Sequence, residues 1–254
     1  MRVLLAIAAA IALLAIALAV TAPASLVDQR LQALSGGRLR LAGASGTLWS
    51  GTGELVLLPR GTRRSVAWQL EAWPLARGEL RGSVAIDAAD APRAEFVYGP
   101  HNVALRRLDL ALPMESVLEA SGVPGALVGA GGSLALHVER FVQRAEAIDA
   151  DAVLQWRDAS LPSPRPGVRI ALGDVRLDLR GAGSEAAGAL SNRGGDVEVG
   201  GRVALSSLLI PRIDLTVRPR AGLDRDRAAA IAAALSLVAA PDGQGAYRIV
   251  WSGS

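Results

Sequence analysis

The chain has 254 residues, 51% of them hydrophobic, with no cysteine, two histidines and a formal net charge of +3. Without cysteine, neither a disulfide framework nor a thiolate metal site can form. All 27 basic residues are arginine and they are interleaved with 24 acidic ones, as around Asp87, Asp90, Arg93 and Glu95, so no basic stripe of the kind that grips phosphate forms and nucleic acid is not an expected partner.

Mean hydropathy is high, at +0.32, and part of the excess lies in residues 3–20, VLLAIAAAIALLAIALAV. This run carries no charge and as a helix would span about 27 Å, close to the ~30 Å core of a bilayer. Arg2 precedes it and no basic residue follows until Arg30, so the N-terminus is expected in the cytoplasm and the remainder outside it. Residues 1–24 are therefore expected to be a short tail and transmembrane anchor, and residues 25–254 an extracytoplasmic domain. A cleaved signal peptide is the competing possibility, since Ala22, Pro23 and Ala24 offer small residues to a peptidase. Against it, the run exceeds an h-region of ~7 to 15 residues, Pro23 sits inside the would-be cleavage motif, and SLVDQRLQAL continues as an amphipathic helix. Ser25 is expected to cap that helix, with Asp28 near the positive end of its dipole and Leu26, Leu31 and Leu34 mostly on one side.

From Arg38 onward the dominant period is two, the mark of strands with one face toward a core. Leu39 and Leu41 share a face, then Val66, Trp68 and Leu70, then Leu80, Val84 and Ile86. The pattern returns at Leu108, Leu110 and Leu112, at Leu134, Leu136 and Val138, and at Ile148, Ala150, Ala152, Leu154 and Trp156. Later runs are Val168, Ile170 and Leu172; Val175, Leu177 and Leu179; Val197, Val199, Val203 and Leu205; and Ile213, Leu215 and Val217. Turn signals such as YGPHN, SNRGGD and APDGQG separate them. The expected fold class is mainly β, an antiparallel sheet, curved or open, with one or two short helices. Those helices are PMESVLEASG, which begins on Pro113 and stops at Gly122, and an alanine-rich segment from Asp224 to Val238. LPSPRPG at 161–167 is the one plausible internal seam, read as a proline-stiffened loop.

Catalytic candidates are few. His101 lies in a turn and His137 alternates with Leu136 and Val138, a solvent-side strand position; the two have no metal-ligand spacing. Asp149 and Asp151 face outward if Ile148, Ala150 and Ala152 face inward, which is edge solvation rather than an acid–base dyad. GAGGS at 129–133 lacks both the dinucleotide fingerprint and a P-loop lysine, and the Gly43-Ala44-Ser45 segment lacks the second half of a nucleophile elbow. No catalytic, cofactor-binding or metal site and no small-molecule substrate is expected. Trp68 and Trp156 lie in phase with aliphatic neighbours, and Trp49 and Trp251 each precede Ser-Gly at strand ends. Tryptophans in such settings are expected as core anchors, so SGTLWSG at 45–51 is read as a strand end whose small residues let a large ring pack closely.

The chain resembles protein N of the type II, or general, secretion pathway of Gram-negative bacteria. The resemblance runs in order through VTAPAS, GASGTLWSGTGEL and VAWQLEAWPLARGELRGSV, then LQWRDASL, LGDVRLDL, GGDVEVGGRVAL and LTVRPR, and closes on APDGQGAYRIVWSG. It implies a non-catalytic, single-pass component of the cell inner membrane, with a periplasmic domain, in the machine that carries folded proteins across the outer membrane. Its implied partners are other components of that system and, through the N-terminal helix, inner-membrane lipid; the family has no catalytic residues to carry over. Two other classes stay open. A periplasmic lipid-handling β-sheet protein would hold acyl chains in an apolar groove, and a glycan-binding module would use exposed Trp49 and Trp251.

Overall fold

Among the described residues there are thirteen strands, each pairing antiparallel with its sequence neighbours inside its own unit. The computed structural model describes residues 22–58, 61–87, 93–121, 129–164, 168–242 and 244–253. The expected anchor at 3–20 lies outside them, and among the described residues no helix is long and apolar enough to cross a membrane. The chain divides into two compact units, Met1–Arg93 and Ala94–Ser254.

In the first unit, helix α1 (Ser25–Ser35) precedes β1 (Leu39–Gly46), β2 (Ser50–Leu57), β3 (Thr62–Glu71) and β4 (Leu80–Ile86), with a 3-10 turn, Trp73–Arg77, between the last two. Val27 and Leu31, one helical turn apart, pack with Leu41, Trp68, Leu70 and Val84. The buried side of α1 is thus rotated from the one expected: Leu26 is partly exposed and Leu34 is 87% exposed. Nor does Ser25 cap the helix, which starts at Ala24 without a side-chain cap. The rotation has a polar cause. Asp28 accepts the Leu41 backbone N–H at 2.7 Å through one oxygen and the Gln32 amide at 2.7 Å through the other, so it ties α1 to the edge strand β1. Gly36, at φ 61°, closes the helix in the left-handed conformation.

The second unit holds β5 (Ala94–Tyr98), β6 (Asn102–Pro113), α2 (Met114–Ser121), β7 (Gly131–Arg144), β8 (Ile148–Pro162) and β9 (Arg169–Gly183). After them come β10 (Glu185–Arg193), β11 (Val197–Ser206), β12 (Pro211–Pro219), α3 (Arg225–Leu235) and β13 (Tyr247–Ser252). Their order is linear, so the sheet of this unit is open. At the 161–167 seam, Leu161 and Pro162 close β8 and pair with Ile170 and Arg169 at the start of β9, as in a hairpin.

Bulges explain where the apolar parity slips. Ile170 and Leu172 are even-numbered while Val175, Leu177 and Leu179 are odd, yet all belong to the single strand β9. Gly173 lies between them at φ 72°, where an added Cβ would stand 2.1 Å from the Arg193 carbonyl oxygen, so only glycine fits this bulge. The irregularity between Trp156 and Ala159 on β8 and the one between Val138 and Arg140 on β7 act in the same way. Each inserts one residue and returns the following apolar side chains to the same face.

That face carries two buried clusters. Ile231 of α3 is fully buried against Ile170, Val197, Val199 and Val217, and Ile148, Ala150 and Ala186 form the second with Phe141, Leu179 and Leu205. Asp224 caps α3 by accepting the Arg227 N–H at 2.8 Å.

Candidate functional site

SGTLWSG forms the β1–β2 hairpin, and the ring it serves is Trp68 rather than Trp49. Trp68 is 5% exposed and donates its indole N–H to the Leu48 carbonyl at 3.1 Å. Gly51 pairs with Trp68 across β2 and β3, and a Cβ there would come within 2.4 Å of both the Ser45 carbonyl and the Trp68 ring. Trp49 itself is only half-buried, and Trp251 is 51% exposed. The expectation that both are core anchors is therefore corrected. Each stands at the end of a strand, where fewer neighbouring strands contribute surface to cover a ring. Trp156 is half-buried and donates to the Gly131 carbonyl at 2.9 Å.

The second unit's outward face is charged and cross-linked. His137 lies opposite Asp109 on the neighbouring strand, with Nδ1 2.5 Å from the carboxylate. That hydrogen bond holds the His137 pKa above its ordinary value, against a small opposing effect of desolvation. Asp149 and Asp151 both point outward as expected, but each meets an arginine of an adjacent strand, Arg140 at 2.9 Å and Arg180 at 3.5 Å. Arg176 holds Asp178, and Arg248 holds Asp214, at 2.6 Å each, and both carboxylates are pulled below their ordinary pKa by these hydrogen bonds. His101 is exposed at the β5–β6 turn. It lies roughly 26 Å along the strand from the Asp109–His137 pair at ~3.3 Å per residue, so the two histidines do not converge. Among the described residues no group of three His, Asp or Glu could hold a metal ion.

The inward face of the same unit is a different surface. Register places Leu108, Leu136 or Val138, Leu154 and Leu177 in adjoining rows. Leu110, Leu134, Leu136, Leu154 and Leu177 are half-buried rather than core. The result is a leucine-lined strip on which an apolar molecule could lie.

One exposed feature escaped the alternation analysis because it lies between strands. The β11–β12 turn presents Leu208, Leu209 and Ile210 at 68%, 43% and 39% exposure. Three consecutive large aliphatics followed by Pro211 were the available signal.

The second unit is thus an antiparallel meander with a leucine-lined inner face and a salt-bridged outer face. A family model described as Type II secretion system (T2SS), protein N, matches residues 37–250, and the chain belongs to that family. It is 28% identical over 241 residues to the Type II secretion system protein N of Aeromonas hydrophila, covering 93% of this chain and 92% of that relative. No solved structure matches the chain.

Proposed function

We propose that the chain is an inner-membrane component of the type II secretion system that supports export of folded proteins from the periplasm through protein–protein contacts, without catalysis. The observation that carries this is the family match over 37–250, which follows within one polypeptide on the uncharged run at 3–20. The anchored topology rests on Arg2 and that run, with residues 25–254 in the periplasm. His137, Asp149 and Asp151 each sit in an exposed cross-strand pair, with Asp109, Arg140 and Arg180 respectively, and we take these pairs as cross-links of the sheet rather than reacting groups. Alkaline phosphatase fused after Ser254 is expected to be active, and crosslinking in native membranes is expected to recover other components of the secretion system. An inactive fusion, or mature protein beginning near Ser25, defeats the anchored topology; crosslinks to unrelated envelope proteins alone defeat the assembly role.

The half-buried leucine strip of the second unit favours one further reading, in which that face holds acyl chains. Its test is mass spectrometry of lipid retained by the purified protein after exchange into a detergent that resembles none of the cell's lipids. Co-purified phospholipid lost on Leu154→Asp supports it, and lipid-free protein removes it.

A further inference from the structure

We infer that the β11–β12 hairpin tip is a membrane-contacting element, which inserts its apex into the headgroup boundary of a lipid bilayer. The apex of the tip is Leu208, Leu209 and Ile210, all exposed. Leu209 sits at φ 60°, a left-handed position that glycine would occupy without strain, yet the apex carries a large apolar side chain. Below the apex the surface changes character within two residues. Arg212 is two residues past Ile210, about 7 Å down a strand at ~3.4 Å per residue, and interfacial elements bury their apolar side about 5–10 Å into the headgroup boundary. Arg212 therefore reaches phosphate level when the apex reaches acyl chains.

Trp251 stands at the same level. It pairs with Ile213 across β12 and β13, is 51% exposed, and sits at the depth where tryptophan is favoured at membrane interfaces. The end of β13 is fastened to the tip, since the Gly253 N–H donates to the Pro211 carbonyl at 2.9 Å. The charges flanking the tip are Arg202 and Arg212, which share Glu185 at 3.2 and 4.0 Å, and Asp214, which lies opposite Arg202 and is neutralised by Arg248, leaving one net positive charge for anionic headgroups. The neighbouring β7–β8 turn, held to the tip by the Gln143 amide donating to the Ser207 carbonyl at 2.9 Å, adds Arg144 and Glu146, which cancel. This contact goes beyond the proposed anchor, because it belongs to the second unit and does not require residues 3–20.

The chain lacks cysteine, so Leu209→Cys in the full-length protein gives one labelling site for the environment-sensitive NBD fluorophore, and Leu208→Cys gives a second site without the backbone constraint. In vesicles of phosphatidylethanolamine and phosphatidylglycerol, both labels are expected to emit to the blue. Brominated acyl chains should quench them roughly twofold more than a label at Glu198→Cys, which lies exposed toward the other end of β11. Adding Arg212→Gln should weaken that quenching in phosphatidylglycerol vesicles. Labels at 208 and 209 that aqueous iodide reaches as readily as the one at 198, and that bromolipid leaves untouched, overturn the inference. The phosphatase fusion reads the anchor and the NBD depth reads the tip, so the failure of one is separable from the failure of the other.

Discussion

At the scale of single residues, the fate of the tryptophans is decided by strand position. Trp68, on the inner strand β3 and under α1, contacts Gly51 on one side and the α1 cluster on the other. Trp68→Ala is expected to cost ~3 to 5 kcal/mol, the range for aromatic truncation in a core. Trp49→Ala and Trp251→Ala should cost markedly less, because those rings already meet solvent. Thermal melting of the three variants in the same detergent checks the order, and Trp49→Ala as the most destabilised of the three would contradict it. Gly51→Ala tests the same packing from the other side, since its methyl would meet the Ser45 carbonyl and the Trp68 ring.

His137 gives a prediction with a sign. The Asp109 hydrogen bond raises its folded pKa, so the stabilisation from the pair is complete below the ordinary histidine value of about 6.5 and is lost as pH rises through the raised value. An NMR titration of His137 should show a midpoint above that of an unstructured histidine, and Asp109→Asn should return it toward that value. Because the ring is largely exposed, melting temperature should change little across this window.

Among the elements, α3 depends on one acid. Asp196 is 7% exposed; its Oδ2 accepts the Ala171 N–H at 2.7 Å and the Arg227 guanidinium at 2.8 Å. One carboxylate thus joins the β9 backbone to the first turn of α3, while Ile231 supplies the apolar contact. Asp196→Ala leaves the Ala171 N–H without its acceptor, at a cost of ~1 to 3 kcal/mol, and Ile231→Ala is expected to cost ~2 to 5 kcal/mol. Hydrogen–deuterium exchange should show α3 losing protection in both variants while β6 to β8 keep theirs. Equal loss of protection over β6 to β8 would mean that α3 is not a locally stabilised element.

For the whole molecule, the second unit's two faces predict different responses to solvent. The ion pairs of the outer face are exposed, so each contributes little and salt screens them over about 3 Å at 1 M. Raising salt to that level should shift the melting temperature only slightly. The inner face responds to burial instead, and a charge placed at Val199 or Ile231 should unfold the α3 end of the sheet, as judged by the loss of β-type circular dichroism. A large salt-induced destabilisation would show that the outer ladder carries more of the stability than exposed pairs usually do.

Most of the strands, the helix type and the family were legible from residue order because they depend on local period and motif, whereas β2, β5, β10 and β13 fall outside the alternating runs. Alternation at 2.0 marked the runs at Leu108, Leu134 and Ile213, proline and glycine bounded PMESVLEASG, and the motifs around GTLWSG and WPLARGEL carried the likeness to secretion protein N. Burial was legible only where the local pattern was also the tertiary one. Which tryptophan is covered depends on Gly51 and α1 reaching Trp68 from 17 and more residues away. Which side of α1 faces inward depends on Asp28 finding the Leu41 N–H, and whether Val168 to Leu179 is one strand or two depends on a bulge at Gly173 fitted against Arg193. The exposed apex at Leu208 to Ile210 was likewise a matter of tertiary structure, because an apolar triplet in a turn is buried or bare according to what packs over it. Local chemistry determined the elements; contacts between residues distant in the chain decided which of their surfaces remained open.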